Sequence, residues 1–485
     1  MANSVDLSKY EVVVGLEVHA QLTTKSKAFS SDRNEYGNLP NTNTNPVSLG
    51  HPGTLPVLNE KCVEYAVKLG LAVGANIRHH NEFARKNYFY ADLPKGYQIT
   101  QDTTPVCNGG HIKIKLADGT QKTIGITRIH MEEDSGKSIH DLSPFETMID
   151  LNRAGVPLLE IVSEPDMRSG DEAYAYLTQI RQLVRYLEIC DGNMEEGSLR
   201  CDANISVRRK GDKQFGTRVE VKNLNSIRNV KRAIDYEFQR QVSLIEAGEQ
   251  IQKSTLNFNA TTGTTSVMRV KEEADDYRYF PEPDLPPLVI TDEFIHRVKA
   301  DMPSLPDQLY NRFVEAGLSE YDATVLTDEK GVALYFEELM EYVKHPKSAA
   351  NWLMGEVKSY LNELAIDIGE FPLPPGKLAE LVNYVDEGNI GRTLASQQLF
   401  PLLLKNPQSS PAELASQHGL VQVDDADSLQ GFIQAALEKY PEKVAEYRAG
   451  KKGILGLFMG EVMRMSQGKA DPKKTNQLLQ KLLEE

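Results

Sequence analysis

The sequence predicts an α+β protein with a mixed or antiparallel sheet at its N-terminal end, then an all-helical domain and a small helical tail domain. Three observations carry this. Residues 1 to about 290 combine strand-like alternation with few helices and many Gly, Pro and Asn turns. The stretch Asp275–Pro287 has prolines at 281, 283, 286 and 287, which neither a helix interior nor a central strand accommodates. From about residue 292 nearly every segment has helical periodicity. Boundaries are expected near 292 and 405, the second at Asn406-Pro-Gln-Ser-Ser-Pro411, with a further break at Phe371-Pro-Leu-Pro-Pro-Gly376. A chain of 485 residues exceeds what one core supports.

The first element is Tyr10-Glu-Val-Val-Val-Gly-Leu-Glu-Val-His-Ala-Gln-Leu22. Val12, Val14, Leu16 and Val18 take one face; Glu17, His19 and Gln21 take the other. That face is either solvated or offers an oxygen and a nitrogen ligand to one ion. The second is Ile124-Gly-Ile-Thr-Arg-Ile-His-Met-Glu-Glu-Asp134, where Arg128, His130, Glu132 and Asp134 share a face. Glu133 follows Met131 inward unless the strand ends or bulges. Adjacent carboxylates raise each other's pKa unless water, salt or a cation intervenes. The Gly136-Lys137-Ser138 that follows is no phosphate loop, because the required first glycine position holds Met131.

Helices are expected over 171–189, with Leu177, Ile180, Leu183, Val184 and Leu187 on one side, and after Ser226, with Ile227, Val230, Ile234 and Phe238. Between them, Leu199, Cys201, Ala203, Ile205 and Val207 alternate with Arg200, Asp202, Asn204 and Ser206. After a Lys210-Gly211-Asp212-Lys213 turn, Arg218, Glu220 and Lys222 share a face. Placing Asp202 opposite Glu220 sets Arg200 opposite Lys222. Cross-strand ion pairing explains such a face as well as a ligand site does. Taken together, these patches suggest a sheet whose polar face carries hard oxygen donors beside Arg and Lys. Such a donor set suits Mg²⁺ and phosphoryl transfer.

The remaining composition narrows the class. Cys62, Cys107, Cys190 and Cys201 are far apart and read as reduced thiols. The N-terminus lacks a secretory pattern, no apolar run reaches membrane length, and a cytoplasmic location is expected. Net charge is −15, yet Pro441–Glu485 carries nine Lys and Arg against six Asp and Glu. Arg448, Lys451, Lys452, Arg464, Lys469, Lys473 and Lys474 make this a candidate patch for nucleic-acid phosphates, or simply a solvated basic face. Leu455, Phe458, Val462 and Met465 recur at helical spacing within it.

Several long motifs in order, V-G-L-E-V-H-A-Q-L, A-R-K-N-Y-F-Y-A-D-L-P-K-G-Y-Q-I-T-Q, H-M-E-E-D-S-G-K-S, D-L-N-R-A-G-V-P-L-L-E-I-V-S-E-P-D, E-E-G-S-L-R-C-D-A-N-I-S-V and V-K-N-L-N-S, resemble the B subunit of the aspartyl/glutamyl-tRNA amidotransferase. The resemblance runs from about Glu11 to Pro287 and continues more loosely into the tail. It implies a glutamine synthetase-like cradle, and ATP and Mg²⁺ as cofactors. It also implies misacylated tRNA as substrate, and an amidase-type A subunit and a small C subunit as partners. By resemblance, Glu17 and His19 are metal or nucleotide ligands. Glu132 and Glu133 lie near the metal and the ammonia outlet, and Lys86 lies near the ammonia route. Asp202, Glu220 and Glu272 join the same pocket. Charge alone suggests Arg200 and Arg278 for phosphate oxygens. Many members carry a zinc knuckle where this chain has Ser30, Asp32, Asn45 and Ser48, so no structural zinc is expected. Two rivals stay open: a non-catalytic tRNA-presenting subunit, and a free-standing ATP-dependent ligase for a small acid.

Overall fold

The structure is a computed structural model that describes residues 6–140, 142–270, 277–421, 426–466 and 468–484. It is α+β, in two compact units, Met1–Leu305 and Pro306–Glu485.

The first unit is built on a ten-stranded sheet. Its main strands are β1 (Tyr10–Gln21), β4 (Gln121–Glu133), β5 (Pro157–Ser163), β6 (Leu199–Arg209), β7 (Val219–Lys222), β8 (Ser254–Asn259) and β9 (Thr264–Val270). They lie in the order β9-β8-β7-β6-β1-β5-β4, with short strands beyond β4. The β7–β8 pair is parallel and the other main pairs are antiparallel, so the sheet is mixed. A separate three-stranded sheet joins β2 (Ala84–Asn87) to β3 (Tyr97–Thr100) and to β10 (Arg278–Pro281). Pro281 is allowed in β10 because that strand is an edge, paired only with β2.

One face of the large sheet is apolar. Val14, Leu16 and Val18 pack in a core with helices α2 (Gly170–Tyr186) and α3 (Ile227–Glu246), to which α1 (Glu60–Ala72) adds Val63 and Val67. The periodicity of α2 is realised: Leu177, Ile180 and Val184 are wholly enclosed. Each such side chain stabilises the fold by about 1.5–3 kcal/mol. Ser169 and Ser226 cap the two helices, their hydroxyls accepting from Glu172 and Asn229 amides at 3.1 Å. Helix α2 ends sooner than 189, with Glu188 in the left-handed region at φ +57°. Past the prolines, the helix Asp292–Ala300 packs Val298 into the same core.

The second unit is helical among its described residues. The breaks at Phe371–Gly376 and Asn406–Pro411 are helix starts. Pro375 opens one helix, and a Ser410–Glu413 capping box precedes another. In the tail, Phe458 and Val462 enter a core with Leu429, Ile433 and Leu479, while Leu455 and Met465 pack at its edge. No helix among the described residues is long and apolar enough to cross a membrane.

Candidate active site

The other face of the large sheet is polar because alternation is preserved on five adjacent strands at once. On β1, Glu17 pairs in register with Asp202 and His19 with Arg200, both of β6. His19 also pairs with Glu160 of β5, and Glu160 pairs with His130 of β4. Glu132 stands opposite Leu158. On the far side Asn204 pairs with Glu220 of β7. These registers stack one row of donors across the sheet, and part of that row, including Asp202 and Lys222, lines a cleft of about 420 Å³. His19, Lys86, Tyr88, Glu132, Glu160 and Arg200 are among the residues lining it.

The donors form two groups. His19, Glu132 and Glu160 place one ligand atom each within 4.8 Å of one another, and so do Glu17, Asp202 and Glu220. In the first group His19 Nε2 is 3.6 Å from Glu132 and 3.3 Å from Glu160. Burial and the Glu160 charge push the Glu132 carboxyl up to about 7. Burial alone would lower His19, but the hydrogen bond and charge of Glu160, with Glu132, carry it to about 9. Glu160 withstands burial through the two imidazoles and Lys86 and stays well below the usual carboxylate range. In the second group, Asn204 donates to Glu17 at 2.7 Å and Thr255 to Glu220 at 3.2 Å. Burial and the Glu160 charge raise Glu17.

Cations ring these acids. Lys222 bridges Asp202 at 2.5 Å and Glu220 at 2.9 Å. Arg200 is held by Asp134 at 2.8 Å, and Asp134 also accepts from Gln21 at 3.0 Å. Lys86 makes no ion pair with a described residue; its ammonium sits 4.5 Å from the Tyr277 ring centre. Burial would lower Lys86, but the Glu132 charge and its other neighbours raise it.

Four expectations change. Glu133 is not in the metal group: β4 runs unbroken through it, so it turns to the opposite face, where Lys95 and the Ile99 amide, at 2.9 Å, hold its Oε1. Glu160 takes its place. Nor do Glu17 and His19 fall in one donor group with the acidic run, since Glu17 lies with Asp202 and Glu220. The β6–β7 register is shifted by two residues from the expected one, which sets Asp202 against Lys222 in place of a second carboxylate. Arg278 is exposed on β10; Lys86 pairs with Tyr279 there, so Arg278, one residue earlier, points to the opposite face from Lys86. Glu272 lies outside the described residues. In the tail, Arg448 donates to the Leu483 carbonyl at 3.2 Å. Lys451, Lys452 and Arg464 pair with Glu446, Glu484 and Glu461. Lys473 and Lys474 are exposed, and Lys469 is half-buried.

Comparison with known proteins adds a second line. A family model described as the GatB/GatE catalytic domain matches residues 12–296, and one described as the GatB domain matches residues 334–483. The chain belongs to the GatB/GatE family. The B subunit of aspartyl/glutamyl-tRNA(Asn/Gln) amidotransferase from Thermodesulfovibrio yellowstonii is 49% identical over 478 residues, covering 98% of this chain and all of that one. The protein of the same name from Geotalea daltonii is 51% identical over 480 residues, with 98% and 100% covered. The tRNA-binding domain of glutaminyl-tRNA synthetase from Saccharomyces cerevisiae aligns at 14% identity over 37% of this chain and 93% of that one, with a TM-score of 0.25, too low to argue from. As a GatB/GatE chain the protein is a B-type component of an amidotransferase, a carbon–nitrogen ligase. The GatB/GatE catalytic module contains the whole polar row, from Glu17 to Lys222.

Sequence reasoning missed Glu160, Asp134 and Lys222 as site residues. Glu160 had a signal: it is the lone charge within Pro157-Leu-Leu-Glu-Ile-Val-Ser163. A carboxylate in a buried strand needs a partner.

Proposed function

We propose that this chain amidates misacylated tRNA, taking Glu on tRNA(Gln) or Asp on tRNA(Asn), with ATP as phosphoryl donor. The observation that carries the reading is the pair of acidic groups on one sheet face, the first lining the cleft with all three residues and the second through Asp202. A carboxylate cannot accept ammonia directly, since hydroxide leaves poorly. One side-chain oxygen of the substrate attacks the γ-phosphorus, and the bond to ADP breaks. Ammonia nitrogen then attacks the acyl carbon, the C–O bond to phosphate breaks, and nitrogen loses a proton.

Oxygen-rich donor sets of this kind suit Mg²⁺; burial first, and the Glu160 charge after it, push Glu132 and Glu17 upward. His19, Glu132 and Glu160 would hold one ion, and Glu17, Asp202 and Glu220 another. Bound there, Mg²⁺ would offset phosphate charge. Arg200, fixed by Asp134, is placed for phosphate oxygens, and Lys222, which bridges Asp202 and Glu220, would turn to them once an ion took those carboxylates. Lys86 faces the same cleft, in the field of Glu132 and Glu160 and without a direct ion pair to a described acid. Ammonia has to come from a partner of glutaminase type. The four cysteines are buried, with Cys62, Cys107 and Cys190 pushed up to about 12 by burial and Cys201 well above the usual range, so none supplies a thiolate. An amidase-type A subunit and a small C subunit complete the assembly, and the basic tail, with Lys473 and Lys474 exposed, contacts tRNA phosphates.

The test is ADP release by the chain assembled with its A and C partners. Release only when misacylated tRNA is present fits the reading. Release with a free amino acid alone would point to a small-acid ligase, and no release under any condition to a tRNA-presenting subunit.

A further inference from the structure

Two residues on the polar face of β4, Arg128 and His130, have no part in the steps above. His130 is buried at 4% exposure and does not line the cleft, so it is not placed to touch substrate. It also stands outside both donor groups. Register sets its place: Glu160 of β5 pairs with His19 on one side and with His130 on the other. Glu160 Oε2 therefore meets two imidazoles, His19 Nε2 at 3.3 Å and His130 Nε2 at 3.5 Å.

The two imidazoles are not equivalent, and Arg128 makes the difference. Arg128 Nε donates to His130 Nδ1 at 3.4 Å. A guanidinium has donors only, so Nδ1 has to offer its lone pair. An imidazole with an accepting Nδ1 carries its proton on Nε2. That nitrogen faces Glu160 and, at 3.9 Å, Glu132. A ring N–H has no lone pair left for an ion, so His130 donates where His19 can ligate. Arg128 is part-exposed, and its Nη2 lies 4.0 Å from Glu160 Oε1.

We propose that His130 is a positioning residue for the first donor group: with its tautomer set by Arg128, it holds the Glu160 carboxylate from the side away from His19. The inference rests on the reading that His19, Glu132 and Glu160 hold a divalent ion. Carboxylates that ligate an ion are themselves hydrogen-bonded, and losing such an outer partner weakens the ion by about 10–100-fold. A carboxylate oxygen has two lone-pair sites. His130 takes one on Oε2 and leaves the other on the His19 side. A glutamine at this position would keep an N–H for Glu160 and a carbonyl oxygen for Arg128, whereas an alanine keeps neither.

The probe is Mn²⁺, titrated into the chelator-treated full-length chain with the free ion read by electron paramagnetic resonance, so no turnover is needed. E160Q marks which bound ion belongs to the first group. For that ion H130A should bind about tenfold to a hundredfold more weakly, and H130Q should stay within about threefold of wild type. R128M should weaken the same ion, and R128M/H130A should be no worse than H130A alone. The ion of the second group should be unmoved throughout. H130A with wild-type affinity overturns the inference, and so does H130Q falling as far as H130A, which would make His130 a ligand. A further loss in the double variant overturns it too, as does an equal loss at both ions, the mark of a general structural effect. If H130A fails to fold, R128M decides: a weaker first-group ion supports the role and an unaltered one overturns it. A wild type that binds no Mn²⁺ removes the metal reading and this inference with it, whereas a wild type that binds Mn²⁺ and an H130A that matches it remove this inference alone.

Discussion

The Glu160 carboxylate stands 3.3 Å from the His19 imidazole across the β1–β5 pair, and these residues are register partners. Strand register thus decides the ligand set: a slip of one residue would send Glu160 to the apolar face.

Replacing this carboxylate tests the group. Glu160→Gln keeps the shape and removes the charge. We expect tRNA-dependent ADP release and amide formation to fall together by about 10²-fold, the upper end for disrupting a metal environment. Affinity for tRNA should stay within about twofold. Steady-state rates within a factor of about three of wild type would take Glu160 out of the site.

Divalent binding has a readout independent of turnover. Adding Mg²⁺ to the chelator-treated chain should raise its unfolding temperature, since an ion that binds only the folded state adds about 2.7 kcal/mol at a hundredfold excess over Kd. Asp202→Asn should lessen that rise, because Asp202 belongs to the second donor group. A melting curve indifferent to Mg²⁺ would argue against both groups.

The tail separates charge from packing. Lys473→Glu with Lys474→Glu should weaken tRNA binding and flatten its salt dependence, by about 0.7–0.9 in log–log slope for each phosphate no longer neutralised. Arg448→Ala should chiefly loosen the tail, because its guanidinium donates to the Leu483 carbonyl. Removing residues beyond about 408 should remove the affinity that the double reversal only reduces. Filter binding at two salt concentrations distinguishes these outcomes, and identical isotherms for all variants would leave the basic face without a role.

One prediction concerns stability alone. Glu237 is fully buried on α3, accepts twice from Arg240 at 2.8 Å, and also accepts from Gln241 at 3.0 Å and Thr265 at 2.5 Å. Glu237→Ala strands these donors. Breaking a buried pair costs about 3–5 kcal/mol, and since Arg240 keeps some solvent access we expect about 2–3 kcal/mol. Urea midpoints measure it, and a shift under about 0.5 kcal/mol would contradict the packing described.

Much of the site was legible residue by residue. The alternation of Glu17, His19 and Gln21, and of His130, Glu132 and Asp134, is local, and the sheet preserves it. The inward turn of Glu133 was legible too, in its place after Met131, though the resemblance set it beside Glu132 near the metal. Three things were not legible. Glu160 looked like one acid in an apolar strand until β5 was seated between β1 and β4. The partner of Asp202 depended on a register that several pairings of the same two strands would satisfy by pattern. Arg278 looked like a phosphate cation because nothing local says which face of β10 meets the cleft.

The sequence alone determined the α+β class, the helical faces of α2 and α3 and the alternating acids, because side-chain periodicity and capping act over a few residues. Only the tertiary structure decided which acids meet. That choice depends on strand order and register, which are set by contacts between segments distant in the chain: burying the Val14, Leu16 and Val18 face under two helices forces Glu17 and His19 outward, and only the seating of β4, β5, β6 and β7 beside β1 places Glu132, Glu160, Asp202 and Glu220 around them.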